Sequence, residues 1–260
     1  MRILLTRFGG LGDLFYIEPT IRALSNKYKT KDIVIRTHMD YRDVFACHPC
    51  ISNVVFDDLH YYLGYVYNNE PVEGTHWGGV NPNFDLHFDF SRCLHFDETT
   101  GEEGLTHAID VFSSVANISL EDKKPKMFYN KAVVPKVKIL AQLKSAGEDR
   151  DLSKDIKIRD VIKSFPNSEF IGETFISHNE FMSKIEACDI FVGTESSGVI
   201  AAHAMGKKTI GIYKNAERIK TRAFDGMLCY TQHNMIDRVE DLASGIRKFG
   251  LEIQETDTSL

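Results

Sequence analysis

Arg2-Ile3-Leu4-Leu5-Thr6-Arg7-Phe8-Gly9-Gly10-Leu11-Gly12-Asp13 decides how this chain is to be read. Residues 2–7 have the apolar run of a buried strand, glycines break it, and Leu14, Ile17, Ile21 and Leu24 then recur at helical spacing. A strand, a glycine turn and a helix begin an α/β alternation. Such a turn exposes backbone N–H groups and lets a ligand approach closely. It is not the dinucleotide fingerprint, which needs G-x-G-x-x-G and an acid on the second strand. Here the second strand ends Arg36-Thr37-His38, so NAD binding is not expected.

The alternation continues outward. Strands are expected at 33–36 and 53–56, with a short helix at 40–47 between them. Residues 58–83 are rich in tyrosine, glycine and asparagine and lack periodicity. Strand alternation returns at 84–90, where Phe84, Leu86, Phe88 and Phe90 share one face and Asp85, His87 and Asp89 the other. A helix at 103–115 follows, then a polar connection at 122–125. The pattern restarts with strands at 137–143, 169–172, 189–192 and 209–213. Helices at 156–165, 179–187 and 199–205 lie between or after them, and a terminal helix spans 237–249. Two Rossmann-like domains with parallel sheets facing a central cleft are expected, 1–125 and 130–250.

Bulk properties narrow the function. With 43% apolar and 26% charged residues, 260 residues suffice for two globular cores. A net charge of −6 and a pI near 5.9 provide no general attraction to phosphate backbones, so nucleic acid is not an expected partner. No run of about 18 apolar residues occurs, so no stable membrane insertion is expected. Met1-Arg2-Ile3-Leu4-Leu5 is too short for a signal peptide, and a cytoplasmic protein is expected. Five cysteines without framework spacing fit a reducing compartment.

Cys47-His48-Pro49-Cys50 has the spacing of a redox pair or half a zinc site, but no second ligand pair follows, and a helix end turning through Pro49 is the simpler reading. Histidines 38, 48, 60, 76, 87, 95 and 107 show no zinc spacing on one helix, so no metal is expected. Packing against the sheet is the preferred reading of the aromatic residues Tyr61 to Tyr67 and of Trp77.

Asp13 at the helix start has two readings. A carboxylate there caps free N–H groups and suits the helix dipole. The other makes it a general base. Context favours the second. Arg7-Phe8-Gly9-Gly10-Leu11-Gly12-Asp13, continued by Glu18-Pro19-Thr20-Ile21-Arg22-Ala23-Leu24, resembles the N-terminal signature of glycosyltransferase family 9, the ADP-heptose:lipopolysaccharide heptosyltransferases. The family's catalytic aspartate falls on Asp13. Cys188-Asp189-Ile190-Phe191-Val192-Gly193-Thr194-Glu195-Ser196-Ser197-Gly198, with the helix after it and Gly206-Lys207-Lys208-Thr209, resembles the family's donor loop.

The resemblance implies a GT-B fold and metal-independent, inverting transfer of a sugar from a nucleotide diphosphate donor to a hydroxyl acceptor. No cofactor is implied, and the donor it favours is ADP-linked. Residues 1–125 would hold a saccharide or other hydroxyl acceptor and 130–250 the nucleotide-sugar. Donor contacts are expected from Gly10, Gly12, Thr194, Glu195, Ser196, Ser197 and Gly198, and from Lys144, Ser145 and Arg150 in the loop 144–151.

Three positions depart from the family pattern: Glu195 stands for aspartate, Ser197 for glycine and Ile200 for histidine. His203 lies three residues on and reads as a packed helix histidine. The family's Lys-Arg-Trp-Pro-like segment is missing, and the chain is shorter than typical members. A transferase acting on modified DNA bases and a non-catalytic nucleotide-sugar-binding relative are the alternatives. The former would need a basic acceptor face despite the acidic total.

Overall fold

The computed structural model describes residues 1–41, 43–57, 83–90, 106–145, 148–174, 176–237 and 239–251. The chain divides into two compact units, Met1–Asn130 and Lys131–Leu260. The aromatic run Tyr61 to Tyr67, Trp77, histidines 60, 76 and 95, and Gly147 lie outside the described residues.

In the first unit, β1 (Ile3–Thr6) leads into α1 (Leu11–Tyr28), then β2 (Ile33–His38), β3 (Ile51–Asp57), β4 (Leu86–Asp89) and α2 (Ala108–Val115). All strands are parallel, in the order β3-β2-β1-β4. Ile3, Leu5, Leu14, Ile17, Ile21, Leu24, Ile33 and Ile35 are buried, which is why strand and helix periodicities are both visible here. Glu18 and Arg22 of the signature have a structural task. The Glu18 carboxylate accepts from Arg22 Nε at 2.7 Å and from the Lys126 backbone N–H at 2.8 Å, and His48 Nε2 lies 3.3 Å from it. Arg22 also donates to the Lys124 carbonyl at 2.8 Å. Together they tie the polar segment 122–126 onto α1.

Among the described residues of 40–47 the expected helix does not form. A 3-10 turn covers Met39–Tyr41, and Val44, Ala46 and His48 each donate to a carbonyl three residues back. Bonds of that period tighten the chain into successive turns instead of an α-helix. His48 closes the run by accepting from the Cys50 N–H at 3.1 Å, and the thiols of Cys47 and Cys50 are free.

The second unit contains β5 (Val137–Gln142), α3 (Ile156–Lys163), β6 (Ser168–Phe170), α4 (His178–Ala187), β7 (Cys188–Thr194), α5 (Ser197–Ala204) and β8 (Lys208–Tyr213). They are followed by α6 (Ala216–Arg222), β9 (Leu228–Thr231), α7 (Gln232–Asp237) and α8 (Glu240–Lys248). Its parallel sheet runs β6-β5-β7-β8-β9. Ile139, Ala141, Ile190, Val192, Ile210 and Ile212 form the core with Ile158 and Ile162 of α3 and Leu242, Ala243 and Ile246 of α8. Side chains cap three helices at the third N–H: Asp155, Ser177 and Asn215. The terminal helix expected at 237–249 is α8, while the sequence pattern shows none of α6, β9 and α7.

Candidate functional site

In open α/β sheets a ligand crevice forms beyond the carboxyl ends of the strands, where the strand order reverses. That point lies between β1 and β4 in the first unit and between β5 and β7 in the second. Side-chain hydrogen bonds bridge both points. In the first unit, buried Arg7 donates from Nη1 to the Phe90 carbonyl at 2.7 Å. In the second, the Ser196 hydroxyl donates to Gln142 Oε1 at 3.0 Å.

Arg7 also reaches Asp13. Its Nη2 lies 2.8 Å from Asp13 Oδ2, and the same oxygen accepts from the Gly10 N–H at 3.2 Å. Asp13 thus fills the capping role as the third residue of α1, while its side chain keeps 23% of its exposure against 5% for Arg7. The arginine lies 5.3 Å from the Phe112 ring centroid, so the buried charge has a carboxylate, a carbonyl and a π-face as partners. Gly9 makes room for this pair, since a Cβ there would stand 2.5 Å from Asp13 Oδ2. Gly10 caps α1 with open space above it, and Gly12 is in the first turn. Tyr41 completes this end of the unit. Burial and the nearby carboxylates of Asp40 and Asp13 push its phenol above the ordinary value.

At the second unit, Thr194 ends β7 fully buried, and the Glu195 N–H donates to the Ile212 carbonyl at 2.9 Å, fixing the loop against β8. Ser196 is the N-cap of α5, yet its hydroxyl goes to Gln142, so no side chain caps the helix start at Ser197 and Gly198. Gly198 is required by close packing, because a Cβ would lie 2.2 Å from Gln142 Oε1 and 2.6 Å from the Phe191 ring. Glu195 Oε1 is 3.6 Å from Nη1 of Arg150 and 3.6 Å from Nη1 of Arg218. Lys214 donates to Asp149 at 2.8 Å, and that bond holds the Asp149 carboxyl below its ordinary value.

Of the residues expected from sequence, Arg150, Glu195, Ser196, Ser197 and Gly198 therefore gather at one strand end, as do Gly10, Gly12 and Asp13 at the other unit's. Lys144 is exposed and Ser145 half-buried. The Lys144 charge acts on Asp151, whose carboxyl is held below its ordinary value first by Ser153. Sequence reasoning did not single out Arg7, Tyr41, Gln142, Lys214 or Arg218. A polar glutamine closing the buried strand Ile139-Leu140-Ala141 was the available signal for one of them. His203 stacks on Phe224 with centroids 4.9 Å apart, the packed role expected of it. Among the described residues no group of three or more His, Cys, Asp or Glu is placed to hold a metal ion. Among them, too, no helix is long and apolar enough to cross a membrane.

No family model matches the chain, and no curated protein matches it in sequence. Solved structures do. The Escherichia coli heptosyltransferase WaaC with ADP-2-deoxy-2-fluoro heptose superposes with a TM-score of 0.64 at 9% identity, over 94% of this chain and 99% of that one. A family 9 glycosyltransferase from Veillonella parvula gives 0.62 at 9% identity, over 99% and 91%. The E. coli ADP-heptose lipopolysaccharide heptosyltransferase II gives 0.60 at 11% identity, over 95% and 99%. Such identities carry architecture and not chemistry. The resemblance read from two loops thus extends to the architecture of nearly the whole chain, which has the GT-B fold of these heptosyltransferases and of the family 9 glycosyltransferase.

Proposed function

We propose that this protein is a glycosyltransferase that moves a sugar, heptose-like or other, from a nucleotide diphosphate donor to an acceptor hydroxyl with inversion. The supporting observation is the gathering of Arg150, Glu195, Ser196, Ser197 and Gly198 at the strand-order reversal of the second sheet. It occurs in a chain whose fold is that of a transferase solved with an ADP-sugar analogue. In this reading the second unit, about 130–250, holds the nucleotide-sugar. N–H groups at the start of α5 and the Arg150 guanidinium take up the charge that grows on the departing diphosphate. An ADP-linked donor is the first to try, and the positive charge the reaction needs is assigned to these groups without a metal.

The acceptor is a saccharide or other hydroxyl compound on the first unit, about 1–125. Its oxygen attacks the anomeric carbon from the face opposite the leaving group, the bond to the diphosphate breaks, and the hydroxyl proton passes to Asp13. The ion pair with Arg7 opposes this role, because a carboxylate so held is a weaker base. It also favours a second reading, in which Asp13 only caps α1 and the protein binds nucleotide-sugars without turning them over. Sugar transfer by the unaltered protein would exclude the second reading, and Asp13→Ala then tests the base. Transfer should fall by about 10²-fold to 10⁴-fold with donor affinity nearly intact, and wild-type turnover would exclude Asp13 as the base. The donor is found with a thermal-shift panel of ADP-, UDP-, GDP- and CDP-linked sugars, since a specific ligand stabilises the native state by mass action.

A further inference from the structure

After β8 the chain runs Tyr213-Lys214-Asn215-Ala216-Glu217-Arg218 into α6. Asn215 Oδ1 accepts from the Arg218 N–H at 2.9 Å, which fixes Arg218 as the third residue of the helix. A cation in a first helical turn opposes the macrodipole, and Lys214 just before the cap adds to that cost. Neither charge is placed there for the sake of α6.

Both instead face the strand end already described. Arg150 comes from the loop after β5, Glu195 from the loop after β7 and Arg218 from the helix after β8. The two guanidinium groups converge on one oxygen of a carboxylate that is only 9% exposed. At 3.6 Å each of these two ion pairs is longer than a charge-assisted hydrogen bond. The set Lys214, Arg150 and Arg218 against Asp149 and Glu195 is three positive charges to two negative, and it lies beside a helix start with no side-chain cap. A monoanion would be served by one arginine. Cations from separate loops suit a ligand with two linked phosphoryl groups.

Resting on the nucleotide-sugar reading above, we propose that Arg218 and Lys214 bind the diphosphate of the donor together with Arg150. Glu195 is a positioning residue that gathers the Arg150 and Arg218 guanidinium groups around one carboxylate oxygen.

The test is calorimetric titration of the full chain with ADP, UDP, GDP and CDP, then of the nucleotide that binds and its monophosphate into variants. Arg218→Gln should lower diphosphate affinity about tenfold or more and monophosphate affinity far less. Arg218→Lys should recover part of the loss, and Lys214→Gln should repeat it in weaker form. Glu195→Gln should lower diphosphate affinity while Glu195→Asp restores it, a rescue that a purely structural effect on the loop would not give. If Arg218→Gln does not fold, Arg218→Lys and Lys214→Gln carry the comparison. Unchanged diphosphate affinity in Arg218→Gln, or equal losses for mono- and diphosphate, would overturn the inference while leaving the transferase reading standing. Failure of the wild-type chain to bind any of the four nucleotides would sink that reading first, and the inference with it.

Discussion

Gly9 and Gly10 adjoin in the turn before α1 and are glycines for different reasons. At Gly9 a Cβ would meet Asp13 Oδ2 at 2.5 Å and Arg7 Nη2 at 2.9 Å; Arg7 is buried and tied to Phe90, so Asp13, the more exposed partner, must turn away. Gly9→Ala should therefore break the Arg7–Asp13 pair at a cost of about 1–3 kcal/mol, seen as a lower Tm together with lost transfer; a Tm equal to wild type would show that the turn relaxes freely. At Gly10 nothing lies within 4 Å of the added carbon, and φ is −68°. Gly10→Ala should cost at most about 1 kcal/mol, the weaker N-cap. If turnover nevertheless falls tenfold or more at unchanged Tm, the space above Gly10 is used by a bound molecule; wild-type turnover would remove Gly10 from the site. The glycine spacing is plain in the sequence, but that one glycine shelters an ion pair and the next borders open space is not.

Among the elements, β7 gives a pH-dependent signature. Cys188 opens the strand, donates to the Ile185 carbonyl at 3.2 Å, and has its thiol pushed up to about 12 by burial against an ordinary value of 9.0. A folded-state value above the unfolded one favours the native state below the unfolded value, and that stability is lost as pH rises from about 9 to about 12. Urea denaturation at successive pH values through this interval should show a steeper loss for the wild type than for Cys188→Ala; parallel curves would mean the thiol ionises in the fold without cost. The strand itself was readable because Ile190-Phe191-Val192 is buried on both faces and gives a continuous apolar run, as do β5 and β8. β9, Leu228-Cys229-Tyr230-Thr231, is only half-buried and its apolar run is short and without alternation, and α6 buries only Arg222, so neither stands out in the sequence. The candidate site divides in the same way. Arg150 and the residues from Thr194 to Gly198 follow strands and were legible from that position. Arg218 was not, because Asn215 before Glu217 and Arg218 reads as a capped, solvated helix start, and only the fold turns that arginine toward Glu195.

At the scale of the whole molecule, each unit has its own parallel sheet and its own buried core, and the ends of both sheets carry part of the chemistry proposed. Recognition of the diphosphate is assigned to residues after 130 and proton removal to Asp13, so the two functions should be separable physically. A chain cut at the boundary between Asn130 and Lys131 should give two pieces that each unfold cooperatively, as expected of compact units of about 130 residues. The nucleoside diphosphate that binds the intact chain should stabilise the second piece alone, by about 2.7 kcal/mol at a hundredfold excess over Kd. Neither piece should transfer sugar by itself. Scanning calorimetry of the two pieces with and without nucleotide reads this directly. A shift confined to the first piece would place the donor on the wrong sheet in this account, and equal shifts in both would mean that nucleotide recognition is shared between the units.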